Sequence, residues 1–452
     1  MPRGATMAIG RKVCCWAPLS FLLVLTSAGF SQAQSSMAAC GVSKYTGPGG
    51  CAASSCHGSV TPKMVTRIFQ NEYSIWIAQD KHAKAFSVLS NPVSVRMGKI
   101  LNIGAPSQAP KCLACHALAV PADQRTQSFD LNDGVSCESC HGPASEWLGR
   151  HTDPHNWPYE KLIACGLYPN RDLIKRSERC LSCHLGTADK FVDHEMIAAG
   201  HPDLTFELSY FSFYMPQHWK TPEQDDSWRR VKSWAVGQAV QLRESLYRLE
   251  RRANGPNWPE YAELDCFACH HSLTSATDSW RQERGYSGHR PGNPPWNEAR
   301  VVVFRDLVKD LHPDTAQRLD EELTGLADLM NQLNGNREKI AATAKHAAVT
   351  AGELAIQLEA QPYDSGLTLR LMRHIAADYK AIANQDERAA QQAAMTLNDL
   401  YMAYQENTKP PLSGDVGTAI DALIQQLQQN PSAYSAPKFA AGMQRVSETL
   451  GQ

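Results

Sequence analysis

Ten of the fourteen cysteines stand in five pairs, and each pair is followed at once by a histidine: Cys51/Cys56-His57, Cys112/Cys115-His116, Cys137/Cys140-His141, Cys180/Cys183-His184 and Cys266/Cys269-His270. Four pairs enclose two residues and the first encloses four. In a chain of this composition the compact spacing arises by chance about 0.015 times, so four occurrences express chemistry. Two thiols at that spacing can add across the vinyl groups of a porphyrin, with the adjoining histidine placed to reach the iron. The pattern predicts five covalently attached haem c groups, held by the ten cysteines, with His57, His116, His141, His184 and His270 as proximal iron ligands. Structural zinc is the rival, because paired cysteines also build zinc sites. Zinc needs four ligands but no histidine after every second cysteine. At the first motif the rival is a disulfide to Cys40 with His57 incidental, and the position of His57 favours haem attachment.

The remaining cysteines fit an exported chain. Cys14 and Cys15 fall in an N-terminal stretch where Arg3, Arg11 and Lys12 precede an apolar run from Val13 to Phe30, closed by Ser31-Gln32-Ala33. That is the layout of a secretory signal, assigned to residues 1–33. Lipid anchoring at Cys40 is not expected, since the polar 31–36 run separates it from the apolar core. No later stretch approaches the length of a membrane span, so the mature chain is read as not membrane-spanning, in the periplasm or otherwise exported. Cys40 and Cys165 either pair as a disulfide or stay as buried thiols. With 44 basic against 46 acidic side chains, no nucleic-acid partner is expected.

Each iron has a sixth position, and a second histidine there makes a low-spin electron carrier. Eleven further histidines are available. His82 lies in a predicted helix with Trp76 and Phe86, and is assigned as a distal ligand, as is His151, ten residues after His141. His155, after a proline, is weaker. His194 and His201 are seven apart; on a helix they would share one face about 10 Å apart along the axis and suit two irons, against the plainer reading of one ligand and one bystander. For His218 and His271 both readings stand. His312, His346 and His374 are read as solvated.

Beyond His271 the chain changes character. The run 288–295 is rich in glycine and proline, and after it alanine, leucine and glutamine take over. Leu319, Leu323, Leu326, Met330 and Leu333 fall on one helix face, as do Ile340, Ala344, Ala347, Ala351, Leu354 and Leu358; Ala390, Ala393, Leu397, Leu400 and Tyr404 form another stripe, with Met372, Ile375, Tyr379 and Ile382 between. The expected fold is mainly α: a loop-rich haem-bearing domain with little β over 40–288, whose core is largely porphyrin, followed by a helical bundle over 296–452.

The order of a cysteine-pair motif, His82-Ala83-Lys84-Ala85, Lys111-Cys112-Leu113-Ala114-Cys115-His116, Gly134-Val135-Ser136-Cys137-Glu138-Ser139-Cys140-His141-Gly142-Pro143, Arg150-His151 and Arg179-Cys180-Leu181-Ser182-Cys183-His184 resembles the cytochrome c-554 family over about residues 51–190. Those are tetrahaem electron-transfer proteins associated with hydroxylamine oxidation. The resemblance implies haems stacked in close pairs, His82 and His151 as distal ligands, and one haem, that of His116, without a distal histidine. The longer first motif, the fifth motif and the C-terminal helices depart from the family, so partner and substrate do not carry over.

Electron transfer through closely spaced, mostly bis-histidine haems, exchanging with redox partner proteins, is therefore the expected function. The alternative is a multihaem oxidoreductase with one open-coordinate haem acting on a small nitrogen or sulfur compound, its substrate oriented by donors such as Arg150, Lys111 or Tyr210. A docking role for the C-terminal helices is compatible with the first reading.

Overall fold

The computed structural model describes residues 40–220, 227–270, 294–332, 334–429 and 434–451. Residues 1–33, read from sequence as a signal, His271, His289, Leu333 and the glycine- and proline-rich 288–293 lie outside them. The described chain is mainly α, with two isolated bridges, Tyr45 to Arg125 and Leu264 to Trp296, and no strand among the described residues.

Helices in the first part are short: α1 Glu72–Gln79, α2 Pro92–Ile100, α3 Pro110–His116, α4 Cys137–His141, α5 Tyr159–Ala164, α6 Leu173–His184, α7 His194–Ala198 and α8 Leu208–Tyr214. Loops and 3-10 turns join them. From α9, Arg229–Asn254, the helices lengthen: α10 Ala299–Leu311, α11 Pro313–Met330, α12 Arg337–Ala360, α13 Ser365–Ala377, α14 Tyr379–Gln385, α15 Glu387–Asn407, α16 Gly414–Gln429 and α17 Ala436–Gly451. Several start on a side-chain cap that satisfies a backbone N–H left over at the helix end: Asn336 accepts from Lys339 N, Asp364 from Leu367 N, and Asp386 from Ala389 N.

The apolar stripes face inward. Leu319, Leu323, Leu326 and Met330 are buried, as are Ile340, Ala344, Ala347, Ala351, Leu354 and Leu358, and Ala390, Ala393, Leu397 and Leu400. Tyr379 and Tyr404 sit at the margin, half-buried. Alanines 344, 347, 348, 351 and 355 of α12 are fully buried, and this small-residue face lets α9 lie along α12, the most extensive helix pairing in the fold. Gly237 does the same for α8 on α9, since a Cβ there would stand 2.7 Å from Leu208 Cβ.

One continuous core runs through α6, α8, α9 and the helices beyond it, including Leu181, Leu185, Leu208, Trp234, Leu246, Phe304, Leu354 and Phe439. Thus α9, which precedes the fifth motif in sequence, packs as part of the bundle. Residues 40–170 contribute one small separate cluster, Ala144, Trp147, Leu162 and Cys165.

Candidate haem-binding site

The motifs occupy helix ends. α3, α4 and α6 each finish on the motif histidine, His116, His141 and His184, which sets the two thiols three residues apart on one helix face with the imidazole leaving the last turn. The first motif starts in the 3-10 turn Pro48–Cys51, and the fifth in the turn Cys266–Ala268. All ten motif cysteines are free thiols. Cys40 instead forms a disulfide with Cys165, the Cα atoms 5.3 Å apart, so the first motif keeps both its sulfurs.

The histidines come together two by two. His57 faces His151 with ring centroids 6.1 Å apart, His184 faces His82 at 6.1 Å, His116 faces His201 at 6.4 Å and His270 faces His194 at 6.1 Å. Each pair joins one motif histidine to one that sequence reading put forward as distal. Two metal–imidazole bonds of about 2 Å, plus the distance from each nitrogen to its ring centre, set such centroids roughly 6 Å apart. His141, the histidine of the third motif, has His218 nearby: burial first, then the charge of His218, hold His141 down to about 4. Burial likewise brings His184 down to about 4. Both rings are thereby kept neutral, the form that ligates metal.

The ring nitrogens are directed by their partners. Nδ1 of His57 meets Glu72 Oε2 at 2.9 Å and Nδ1 of His82 meets Asp80 Oδ1 at 2.9 Å. Backbone carbonyls serve the others: Ala85 for His116 at 2.9 Å, Trp147 for His151 at 3.3 Å, Pro202 for His201 at 2.8 Å and Pro216 for His218 at 3.1 Å. A ring whose Nδ1–H is donated in this way presents Nε2 as its free lone pair. The two carboxylates hold His57 and His82 above the ordinary imidazole range.

Three features were left open by the sequence reading or differ from it. The first concerns Cys56 and Cys269, the second thiols of the first and fifth motifs. Both are exposed, as are Cys140 and Cys266. The reason is local. Neither Cys56 nor Cys269 stands on a helix packed against its neighbours; each closes a turn, Cys56 N donating to Ala53 O at 2.8 Å and Cys269 N to Cys266 O at 3.2 Å. The turn at Cys56 also takes up the longer interval of the first motif, because His57 N reaches back to Cys51 O at 3.2 Å. Exposure leaves both sulfurs accessible, as a reacting thiol must be.

The second difference lies at His194 and His201. The helix carrying His194 ends at Ala198, and the chain turns through Gly200 at φ +113°, so the two histidines do not share a helix face. The turn sends each toward a different motif histidine, His201 to His116 and His194 to His270. The third is His116, which the family resemblance implied to lack a distal histidine and which has His201 opposite it. Of the remaining histidines, His155 and His346 are exposed, His312 is half-buried, and His374 pairs with Asp310 at the surface.

The donors suggested for an open-haem site have other engagements. Arg150 lies over Trp157, 4.4 Å from the ring centre, and donates to Cys40 Sγ at 3.1 Å; Lys111 pairs with Asp193 at 2.6 Å; Tyr210 packs on Tyr214. Sequence reading missed Glu72, Asp80 and the aromatic wall of Phe206 and Phe211 against His184, at 4.9 and 5.5 Å. Asp80, two residues before His82, had a legible local signal; Glu72 and Phe206 had none. Glu138, between the two thiols of the third motif, is buried and accepts from the backbone N–H groups of Thr46, Gly47 and Ala144 at 2.7–2.9 Å. It ties the segment ahead of the first motif to the third.

The motifs also adjoin one another. The side chains of Cys51 and Cys137 lie beside one another, as do those of Cys115 and Cys183. Cys140 lies close enough to Cys180 and Cys183 for their charges to interact. The segment 194–201 then joins the second motif, through His201, to the fifth, through His194. Glu263 anchors that fifth motif to α9, through Arg248 at 2.8 Å and Arg252 at 2.7 Å, while Arg248 also donates to Leu185 O beside the fourth.

The family model described as cytochrome c554 and c-prime matches residues 51–142. That segment is a c-type cytochrome segment. It covers the first three cysteine-pair motifs and His82. Cytochromes c carry covalently bound haem and transfer electrons, and the donor set here fits that group: free thiols beside each motif histidine, and four of those histidines within 6.1–6.4 Å, ring centre to ring centre, of a second imidazole. Imidazoles paired two by two differ from the tetrahedral set of a zinc ribbon. No curated protein and no solved structure matches the chain. No described helix is long and apolar enough to cross a membrane.

Proposed function

We propose that the chain is an exported five-haem cytochrome that carries electrons along one line of bis-histidine haems. The observation that carries this is the recurrence of one spacing, 6.1–6.4 Å, between four motif histidines and four others. Bound haem supplies one-electron exchange at each iron with little rearrangement. The protein's part is ligation and order. The five cysteine pairs anchor the porphyrins; His57 with His151, His116 with His201, His184 with His82, and His270 with His194 hold four irons from both sides, and His141 with His218 the remaining one. The contacts between motifs support the order first, third, fourth, second, fifth. In that order the fifth motif is the end that meets the bundle, at α9 and, through Arg388 of α15, which donates to Cys266 Sγ at 3.0 Å. The signal-like N-terminus supports export, and donor and acceptor would be redox proteins docking near the two ends.

The test is protein matured with haem-attachment machinery. Intact mass should show five added haems, and paramagnetic resonance should show low-spin ferric iron only. A high-spin signal that shifts on adding nitric oxide would replace the carrier reading with catalysis at an open iron. Colourless protein, or zinc at the thiols, would end both.

A further inference from the structure

Among the candidate iron-ligating histidines whose Nδ1 meets a hydrogen-bond acceptor, His57 and His82 differ from the rest. Their acceptors are carboxylates, whereas those of His116, His151, His201 and His218 are backbone carbonyls. Both carboxylates are built into the fold. Asp80 is buried, and its Oδ1 accepts from both His82 N at 3.0 Å and His82 Nδ1 at 2.9 Å. Glu72 opens α1, and its other oxygen accepts from Phe69 N at 2.8 Å and Gln70 N at 3.1 Å. Neither side chain can turn to solvent without abandoning backbone donors. The two belong to different pairs, His57 to that with His151 and His82 to that with His184.

A full negative charge on a ligand's N–H draws its proton and leaves the opposite nitrogen a stronger donor. A stronger donor favours ferric over ferrous iron, and it acts more fully where water is excluded. We infer that Asp80 and Glu72 are positioning residues that lower the reduction potentials of the fourth and first haems relative to what carbonyl-tethered ligands would give. Electrons would therefore rest less readily on those two irons than their ligand type alone implies. This rests on the haem reading above.

The test is Asp80→Asn in the fully matured chain, followed by spectroelectrochemical titration with a resonance spectrum of the oxidised form. Asparagine offers the same Oδ1 to both donors, so ring orientation is kept and the charge alone is removed. One of the five midpoints should rise by more than any other moves, with all iron still low-spin. Glu72→Gln should raise a different one, and the double variant both. Unmoved midpoints in a variant carrying five haems, or midpoints that fall, would overturn the inference while leaving the haem reading intact. A chain bearing no haem would overturn both. If Asp80→Asn fails to mature, Glu72→Gln decides the matter, and Asp80→Glu should mature without the upward shift.

Discussion

The two parts of the molecule solve the burial problem differently. From α9 to α17 apolar side chains meet each other: Trp234, Leu246, Leu307, Leu354 and Phe439 are fully buried, and among the described residues the large exposed hydrophobics there are Tyr261, Val349 and Ile356. In residues 40–220 the balance is reversed. Its separate core cluster has four members, while Val60, Met64, Val65, Ile77, Val93 and Ile100 are exposed. A polypeptide of that size ordinarily hides more of its apolar surface. The difference is that the first part buries less of its apolar surface on its own side chains, and under the proposed function five covalent porphyrins would cover it.

That contrast can be broken most directly by making the full chain without haem attachment. Limited proteolysis should then cut within residues 41–170 while peptides from α9 onward stay protected. Equal protection throughout would show that the first part stands on its own packing. Next in size is Glu263→Ala, which leaves Arg248 and Arg252 buried without their counter-charge. It should destabilise by about 3–5 kcal/mol in denaturant unfolding and loosen the fifth motif from α9. A cost below about 1 kcal/mol would mean that the two parts are joined by packing alone. Converting both Cys40 and Cys165 to alanine should cost about 2–5 kcal/mol, and the loss should appear in the first part's transition only.

The smallest effect concerns Glu207, buried at the start of α8. Burial, and then the nearby Asp399, push its carboxyl up to about 8. The native state therefore holds this proton more tightly than the unfolded chain does. Its contribution is complete below the ordinary carboxylate range and is lost as pH rises through about 8. Melting temperature should fall as pH rises from about 4.5 to about 8, and Glu207→Gln should flatten that fall. An unchanged slope would show the pH response to come from elsewhere.

Much of the bundle could be read in advance because a helix stripe is a local property: Leu319 to Met330 and Ile340 to Leu358 needed only their spacing. The domain content of α9 could not be read that way, since its place beside α12 depends on the alanine face of a helix about a hundred residues later. The thiol pairs and their histidines were legible because covalent attachment demands neighbours in sequence. How far each thiol is covered was not, and Cys56 and Cys269 are exposed. The pairings His116 with His201 and His270 with His194 were also hidden, because a distal ligand has to be near only in space. The disulfide shows the same limit, its two sulfurs being separated by 125 residues.

By itself, then, the sequence determined the thiol-pair and histidine spacing, the helical class and the stock of candidate ligands, all of which follow from relations within a turn or two of chain. Tertiary structure alone decided which imidazole faces which, that Glu72 and Asp80 stand behind two of them, and that the fifth motif is held by α9. Those are relations between distant segments, set by which faces pack together, and no local spacing encodes them.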